Sequence, residues 1–289
     1  MTAREGEPRG GGPRTGAPVV REVTCKTVLN RSKLGDYSMN CYTGCEHGCI
    51  YCYARFMQRF RPHPEPWGGF VDVKVNAVDA LIRQLRRAKP GGVFTSSACD
   101  GWQPVERERR LTRECCRLLT EHGFTVNALT KSALVLRDLD VLRPELARIG
   151  TTITTPDQHN AAVWEPRASS VEERWAILQR AKEAGFPTAV MFGPLLPGLS
   201  DDADSLGALF GRAAGLQVDV VWVDAMNPRP RVWPSVARLL RRRFPRLHDQ
   251  YGRILHDAAT REQYVAALGR RVREAARRAG VADRLAGCP

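Results

Sequence analysis

Long apolar runs are missing from this sequence of 289 residues. No stretch approaches the roughly 20 residues that cross a bilayer, so a membrane partner is not expected. Nor does a basic stretch lead into an apolar N-terminal run, so no secretory signal is expected. The nine cysteines are therefore expected in a reducing, cytoplasmic compartment, where thiols stay free to bind metal. No internal repeat is present. Lysine is scarce, with six residues, and acids are few: 31 against 44 Lys+Arg, for a formal charge of +13. The excess lies towards the C-terminus, where 227–289 holds 15 Arg, no Lys and 5 acids. Such a basic face attracts phosphates, which suits a nucleic acid, a nucleotide or an acidic redox partner. Arginines coating a solvated helix would look the same.

The chain is long enough for one α/β domain with a full core. Residues 1–18 are rich in Gly, Pro, Arg and Thr, and this segment is expected to be a disordered tail. From there short β-branched runs alternate with amphipathic patterns. Strands are expected at 36–40, 93–97, 125–130, 151–155, 188–192 and 218–224. Helices are expected at 77–88, 106–121, 135–147, 171–184 and 204–214. The fourth helix opens on a capping box, Ser170 with Glu173, and its stripe of Val171, Trp175 and Leu178 marks Trp175 as a core residue. Repeated β-then-α units predict a parallel sheet with right-handed crossovers. Periodicity alone does not separate an open sheet from a partial barrel. After Asp224 the pattern turns mostly helical. The expected division is thus a tail (1–18), a core (19–226) and a basic helical extension (227–289).

The most informative residues are Cys45, Cys49 and Cys52, in the string NCYTGCEHGCIYCYA at 40–54. Three thiolates on one Cys-x3-Cys-x2-Cys loop can hold three irons of a cubane [4Fe–4S] cluster. The fourth iron is then open to a small molecule. The competing reading adds Cys41 to make a zinc site of four thiolates. Structural zinc sites usually join two separated cysteine pairs, which four cysteines so close together match poorly.

The loop resembles that of the radical S-adenosylmethionine (SAM) enzymes. Within them it resembles the spore photoproduct lyase-like group, through Asn40, Tyr42, Gly44, Cys45, His47, Cys49, Tyr51, Cys52, Tyr53 and Ala54. Cys41 stands where that group usually has Pro. The resemblance extends through Asp100, Gln103, Pro104 and Glu106, then Leu111, Thr112 and Arg113, and on to Thr130 and Lys131. It implies a (β/α)6 partial TIM barrel that binds a [4Fe–4S] cluster and SAM. It also implies a one-electron donor such as a flavodoxin or ferredoxin. Cys45, Cys49 and Cys52 would be the metal ligands.

The resemblance also distributes roles around SAM. Ser96, Ser97 and Asp100 would meet the methionyl ammonium, with a turn-forming role as the alternative for Asp100. Lys131 would pair with the carboxylate, a task that suits a flexible point charge. Thr152 would meet the ribose or methionine moiety. Glu165 and Arg174 would shape the site directly or as an ion pair beneath it. Tyr51 would sit beside the adenine, and 192–198 would back it. Cys99 is expected at the rim, as a hydrogen-atom donor or as a merely small, buried residue. The function implied is reductive cleavage of SAM to a 5′-deoxyadenosyl radical, which takes hydrogen from a substrate. A nucleotide or nucleic-acid lesion is one expected substrate, and a small metabolite or peptide the alternative. A non-enzymatic iron–sulfur or zinc protein is the remote one.

Overall fold

The structure, a computed structural model, describes residues 16–229 and 231–289. Most of the expected tail, 1–15, lies outside the described residues. The chain opens with strand β1 (Val19–Val23), a hairpin of β2 (Leu29–Ser32) and β3 (Gly35–Met39), and the two-residue β4 (Tyr42–Thr43). After a 3-10 helix (Tyr53–Arg59), β5 (Phe70–Lys74) pairs with β1 and β4 in a small three-stranded sheet. Then come α1 (Ala77–Leu85), β6 (Gly92–Thr95), α2 (Glu106–Arg109), α3 (Leu111–Glu121), β7 (Thr125–Thr130), β8 (Ala147–Thr152), α4 (Gln158–Trp164), α5 (Val171–Glu183), β9 (Thr188–Leu195), α6 (Ala203–Gly215) and β10 (Val220–Ala225). The C-terminal segment forms α7 (Trp233–Arg243), α8 (His248–His256), α9 (Ala258–Arg278) and a last strand, β11 (Leu285–Gly287).

The main sheet has the order β11-β10-β9-β8-β7-β6-β3-β2, parallel throughout except for the β2–β3 hairpin. Its curl and helical crossovers make a radical SAM-type partial TIM barrel, and β3, β6, β7, β8, β9 and β10 are the six strands expected. Alternation puts one set of side chains outward. On β7, Val126 and Ala128 join Cys115, Cys116 and Leu119 of α3 in one apolar layer, which continues to Leu81 of α1. Full burial of a Leu such as Leu81 or Leu119 contributes roughly 1.5–3 kcal/mol. A second layer joins β9 and β10 to α5, α6 and α9. There the capping box forms as expected, and Trp175 packs edge-on against Phe192 at 6.2 Å.

Two expected helices come out differently. The pattern at 106–121 breaks at Arg110, whose φ is +53°. The Glu106 carboxylate accepts from Thr112 N and Arg113 N, both at 3.0 Å, so it caps a new helix. At 135–147 the chain makes 3-10 turns instead. Asp138 is drawn in to accept from Trp102 Nε1 at 2.9 Å, and Pro144 disfavours helical geometry at Arg143. The strand expected at 151–155 begins four residues earlier and ends three earlier, over Ala147–Thr152. Among the described residues no helix is long and apolar enough to cross a membrane.

Candidate active site

The three-cysteine loop leaves β3 and ends in the 3-10 helix. It therefore lies at the carboxyl ends of the parallel strands, where α/β folds collect reactive groups. Glycines let it bend. Gly44 has φ +85°, and a Cβ there would meet the Phe70 carbonyl at 2.5 Å. A Cβ on Gly68 would come within 2.7 Å of the Gly48 Cα, so only glycine allows this close approach. Turn hydrogen bonds of 3.2 Å run from Gly48 N to Cys45 O and from Cys52 N to Cys49 O. Ile50 N donates to Trp164 O at 2.9 Å and pins the loop to α4.

Cys45 and Cys49 are buried and Cys52 is half-buried. Burial pushes all three thiols up, Cys49 to about 12. At Cys45 the neighbours Asp100, Cys49 and Cys52 add to that effect. Two buried donors nearby have no acceptor. One is Trp67 Nε1, which is aimed at the Cys52 sulfur without a well-formed hydrogen bond and lies in an apolar group with Cys45 and Phe70 against which Cys52 and Cys99 pack. The other is Arg55 Nε. Thiolates are the metal-binding form of cysteine and would give these donors an acceptor, so the residues fit a group that holds the three sulfurs deprotonated. Cys41 turns away: its Sγ lies 3.8 Å from Cys115 Sγ in the core. Among the described residues no three His, Cys, Asp or Glu side chains converge on a single ion. A four-thiolate zinc site would need that convergence with Cys41 in it, whereas a cubane takes each thiolate on a different iron.

Beneath the loop lies a buried polar floor. The Tyr51 hydroxyl donates to Glu165 Oε1 and lies 3.0 Å from Thr154 Oγ1, which donates to the same carboxylate at 2.8 Å. Arg174 Nη1 meets Glu165 Oε2 at 2.5 Å and donates to Thr152 O at 3.1 Å. Lys131 Nζ stands 4.0 Å from Glu165 and 5.8 Å from the Tyr51 ring centroid. Burial alone would raise the Glu165 carboxyl. Arg174 and Lys131 outweigh it and hold the group below its usual range. The Glu165 carboxylate thus faces two cations, and Asp100 is the second carboxylate of the site.

The loop after β6 forms the adjacent wall. Asp100 uses both carboxylate oxygens. Thr130 Oγ1 and Trp102 N donate to Oδ1 at 2.6 and 2.9 Å. Lys131 N donates to Oδ2 at 2.8 Å, with His47 Nδ1 at 3.4 Å. Burial keeps His47 below its usual value despite Asp100, so it is neutral at pH 7. Ser97 Oγ accepts from Asn40 Nδ2 at 3.0 Å, and Ser97 O accepts from the Tyr53 hydroxyl. Ser96 Oγ approaches Gly101 so closely that a Cβ there would be 2.9 Å away. The Cys99 thiol lies 3.7 Å from Asn40 Oδ1, and burial pushes it up to about 12.

The structure therefore brings Cys45, Cys49, Cys52, Tyr51, Lys131, Thr152, Glu165 and Arg174 to one end of the barrel, with Ser96, Ser97, Cys99 and Asp100 beside them. Sequence reasoning left out Thr154, Arg55 and Trp67, and it did not give Asn40 a site role. Asn40 and His47 stand inside the signature string, which was a usable signal. Trp67 carried none, because its place depends on the Gly48–Gly68 contact. The basic segment also arrives here. Val236 and Leu240 of α7 and Tyr251 and Leu255 of α8 share an apolar group with Cys49, Tyr51 and Trp164. The Trp164 ring stacks on Phe244 and Tyr251, with centroids 6.4 and 5.9 Å away.

Comparison with known proteins agrees with this geometry. The family model of the Radical SAM superfamily matches residues 39–206. An uncharacterized protein of Methanocaldococcus jannaschii is 31% identical over 183 residues, 62% of this chain and 69% of that one. An uncharacterized protein of Mycobacterium tuberculosis is 28% identical over 246 residues, 80% of this chain and 72% of its own. Among solved structures, spore photoproduct lyase complexed with dinucleoside spore photoproduct superposes with a TM-score of 0.66 at 15% identity. That match covers 91% of this chain and 80% of the lyase. A mutant of the same lyase with bound AdoMet and dinucleoside spore photoproduct gives 0.67 at 14% identity, with the same coverage. At these identities the likeness is one of fold.

Proposed function

The chain belongs to the radical SAM superfamily, which uses a [4Fe–4S] cluster and SAM, and we propose that it is an enzyme acting on a nucleotide or nucleic-acid lesion. Cys45, Cys49 and Cys52 hold the cluster. When bound, the cluster would supply the electron for reductive cleavage of SAM and so the means of hydrogen abstraction from a substrate.

The protein's own residues position and balance charge. Lys131 receives the SAM carboxylate, because Glu165 is already matched by Arg174 and leaves the ammonium of Lys131 in excess. Asp100 Oδ1 is taken by Thr130 and Trp102, while Oδ2, which accepts from Lys131 N, keeps a lone pair for the methionyl ammonium. Asp100 also fixes the backbone of Lys131 and orients Thr130 and Trp102. Ser96 and Ser97 line the same wall. Tyr51 and Thr154 hold the Glu165 carboxylate in place. Cys99 borders Cys45 and Cys52 at the rim, and a thiol raised to about 12 keeps its hydrogen at neutral pH, ready to give to a product radical. An electron donor such as a flavodoxin or ferredoxin would supply the electron.

The observation that carries the substrate reading is the docking of α7 and α8 on the cluster loop. It brings an arginine-rich segment to the end of the barrel where substrate would enter, and polyanions are the ligands such a surface attracts. The solved relative's dinucleoside ligand supports the same class. The test is anaerobic reconstitution with SAM, a reductant and candidate dinucleotides or damaged DNA. Product formation from these supports the reading. Turnover of small metabolites or peptides alone refutes the substrate class.

A further inference from the structure

Arg55 is the third residue of the 3-10 helix that follows Cys52. It is 8% exposed. Its Nη2 donates to Cys49 O at 3.1 Å and Ile50 O at 3.2 Å, and its Nε has no partner. Other inward-turned arginines show what is missing, among them Arg174, which is buried more deeply. Arg174 meets Glu165, Arg137 meets Glu106 and Asp138, and Arg113 meets Asp138 and Asp140. Among the described residues no carboxylate lies within salt-bridge distance of Arg55. A buried guanidinium without a counter-charge is costly. Arg238 is the other cation felt at this position, and it makes the cost greater. The neighbouring groups that can carry negative charge are Cys52 and Cys49.

We propose that Arg55 is the counter-charge of the iron–sulfur cluster and raises its reduction potential. This rests on the assignment of Cys45, Cys49 and Cys52 as ligands. A cubane core with two positive charges on three thiolates carries one net negative charge, and two after it accepts an electron. A fixed cation behind two of the three thiolates stabilises the second state more than the first. Net charge, hydrogen bonds and exposure are what set such potentials. The carbonyl contacts aim the guanidinium at the loop, and its Nε is the donor that the sulfurs would occupy.

The experiment is an anaerobic redox titration of the reconstituted full chain without SAM, with dithionite and mediators. Reduced cluster is followed by electron paramagnetic resonance, and iron is counted in each sample. Arg55→Gln keeps hydrogen-bonding capacity and removes the charge, while Arg55→Lys keeps the charge. At a fixed solution potential, Arg55→Gln is expected to hold about tenfold less reduced cluster relative to oxidised, a fall of ~59 mV. Arg55→Lys should titrate close to wild type. If Arg55→Gln loads full iron and titrates as wild type does, the proposal is wrong. If Arg55→Gln loses the cluster and Arg55→Lys keeps it, charge is again the cause. Loss in both variants would make Arg55 a structural clamp and overturn the proposal. Wild-type protein that binds no cluster would instead refute the ligand assignment.

Discussion

Glu165 and Arg174 form a fully buried ion pair, carboxylate to guanidinium at 2.5 Å, directly beneath the Tyr51 ring of the three-cysteine loop. The pair ties the end of α4 and the first turn of α5 to the cluster loop, which is distant from both in sequence. Removing one partner leaves an uncompensated buried charge. Glu165→Gln should therefore cost about 3–5 kcal/mol, measured by chemical denaturation of the metal-free chain. The pH dependence has a definite sign. The Glu165 carboxyl lies below its ordinary 4.5 in the folded protein, so its contribution is present above that pH and is lost as pH falls through the folded value. Wild type should lose this component on acidification, and Glu165→Gln should lack it. Equal acid sensitivity of the two proteins would show that the pair contributes nothing.

Ligand identity separates Cys41 from its neighbours. Alanine at Cys45, Cys49 or Cys52 should abolish the brown colour and the roughly four irons per chain expected of a cubane. Cys41→Ala should retain both, because that thiol faces Cys115 in the core. Iron analysis after anaerobic reconstitution decides it, and loss of iron in Cys41→Ala would break the assignment.

Lys131→Ala should keep the cluster and weaken SAM binding. A hydrogen bond to a charged group is worth about 1.5–3 kcal/mol, so the dissociation constant should rise roughly tenfold or more. Calorimetry with the reconstituted protein measures it. Unchanged affinity would leave Lys131 as a partner of Glu165 alone.

Cys99→Ala should leave iron content, SAM affinity and 5′-deoxyadenosine formation in place while the final product changes or disappears. Mass spectrometry of the products is the readout. The same product at the same rate would reduce Cys99 to a packing residue.

Polyanion binding through the basic segment should fall steeply with salt, with a log–log slope of roughly 0.7–0.9 per phosphate neutralised. Replacing Arg241, Arg242 and Arg243 together by Gln should flatten that slope. Fluorescence anisotropy with a labelled oligonucleotide across a salt series reads it. A slope unchanged by the substitutions would put the binding face elsewhere.

The strands were largely legible because their signal is local, while their closure into a partial barrel followed from the resemblance. Five of the six strands are short runs with β-branched residues, the first (Gly35–Met39) having none, and Ser170 with Glu173 announces its own helix. The breaks at Arg110 and Pro144 were harder to read, since they follow from Glu106 and Asp138 being pulled into tertiary hydrogen bonds. The small sheet was missed because its strands come from 19–23, 42–43 and 70–74, and β4 is too short to show a period. At the site the cysteines were legible from spacing, and Lys131 from resemblance. The bonds from Thr130, Trp102 and Lys131 that hold Asp100 were not legible, because they depend on where β7 lies beside β6. The unpaired state of Arg55 also depends on the full set of charges around it.

The central claim is that this loop and its polar floor bind SAM against a cluster and cleave it. The direct measurement is 5′-deoxyadenosine released by anaerobically reconstituted protein given SAM and dithionite, quantified by chromatography beside Cys45→Ala, Cys49→Ala and Cys52→Ala. The account predicts 5′-deoxyadenosine and methionine from wild type and none above background from the three variants. Iron-loaded wild type that binds SAM and releases no 5′-deoxyadenosine, or release that persists without the three cysteines, would contradict it.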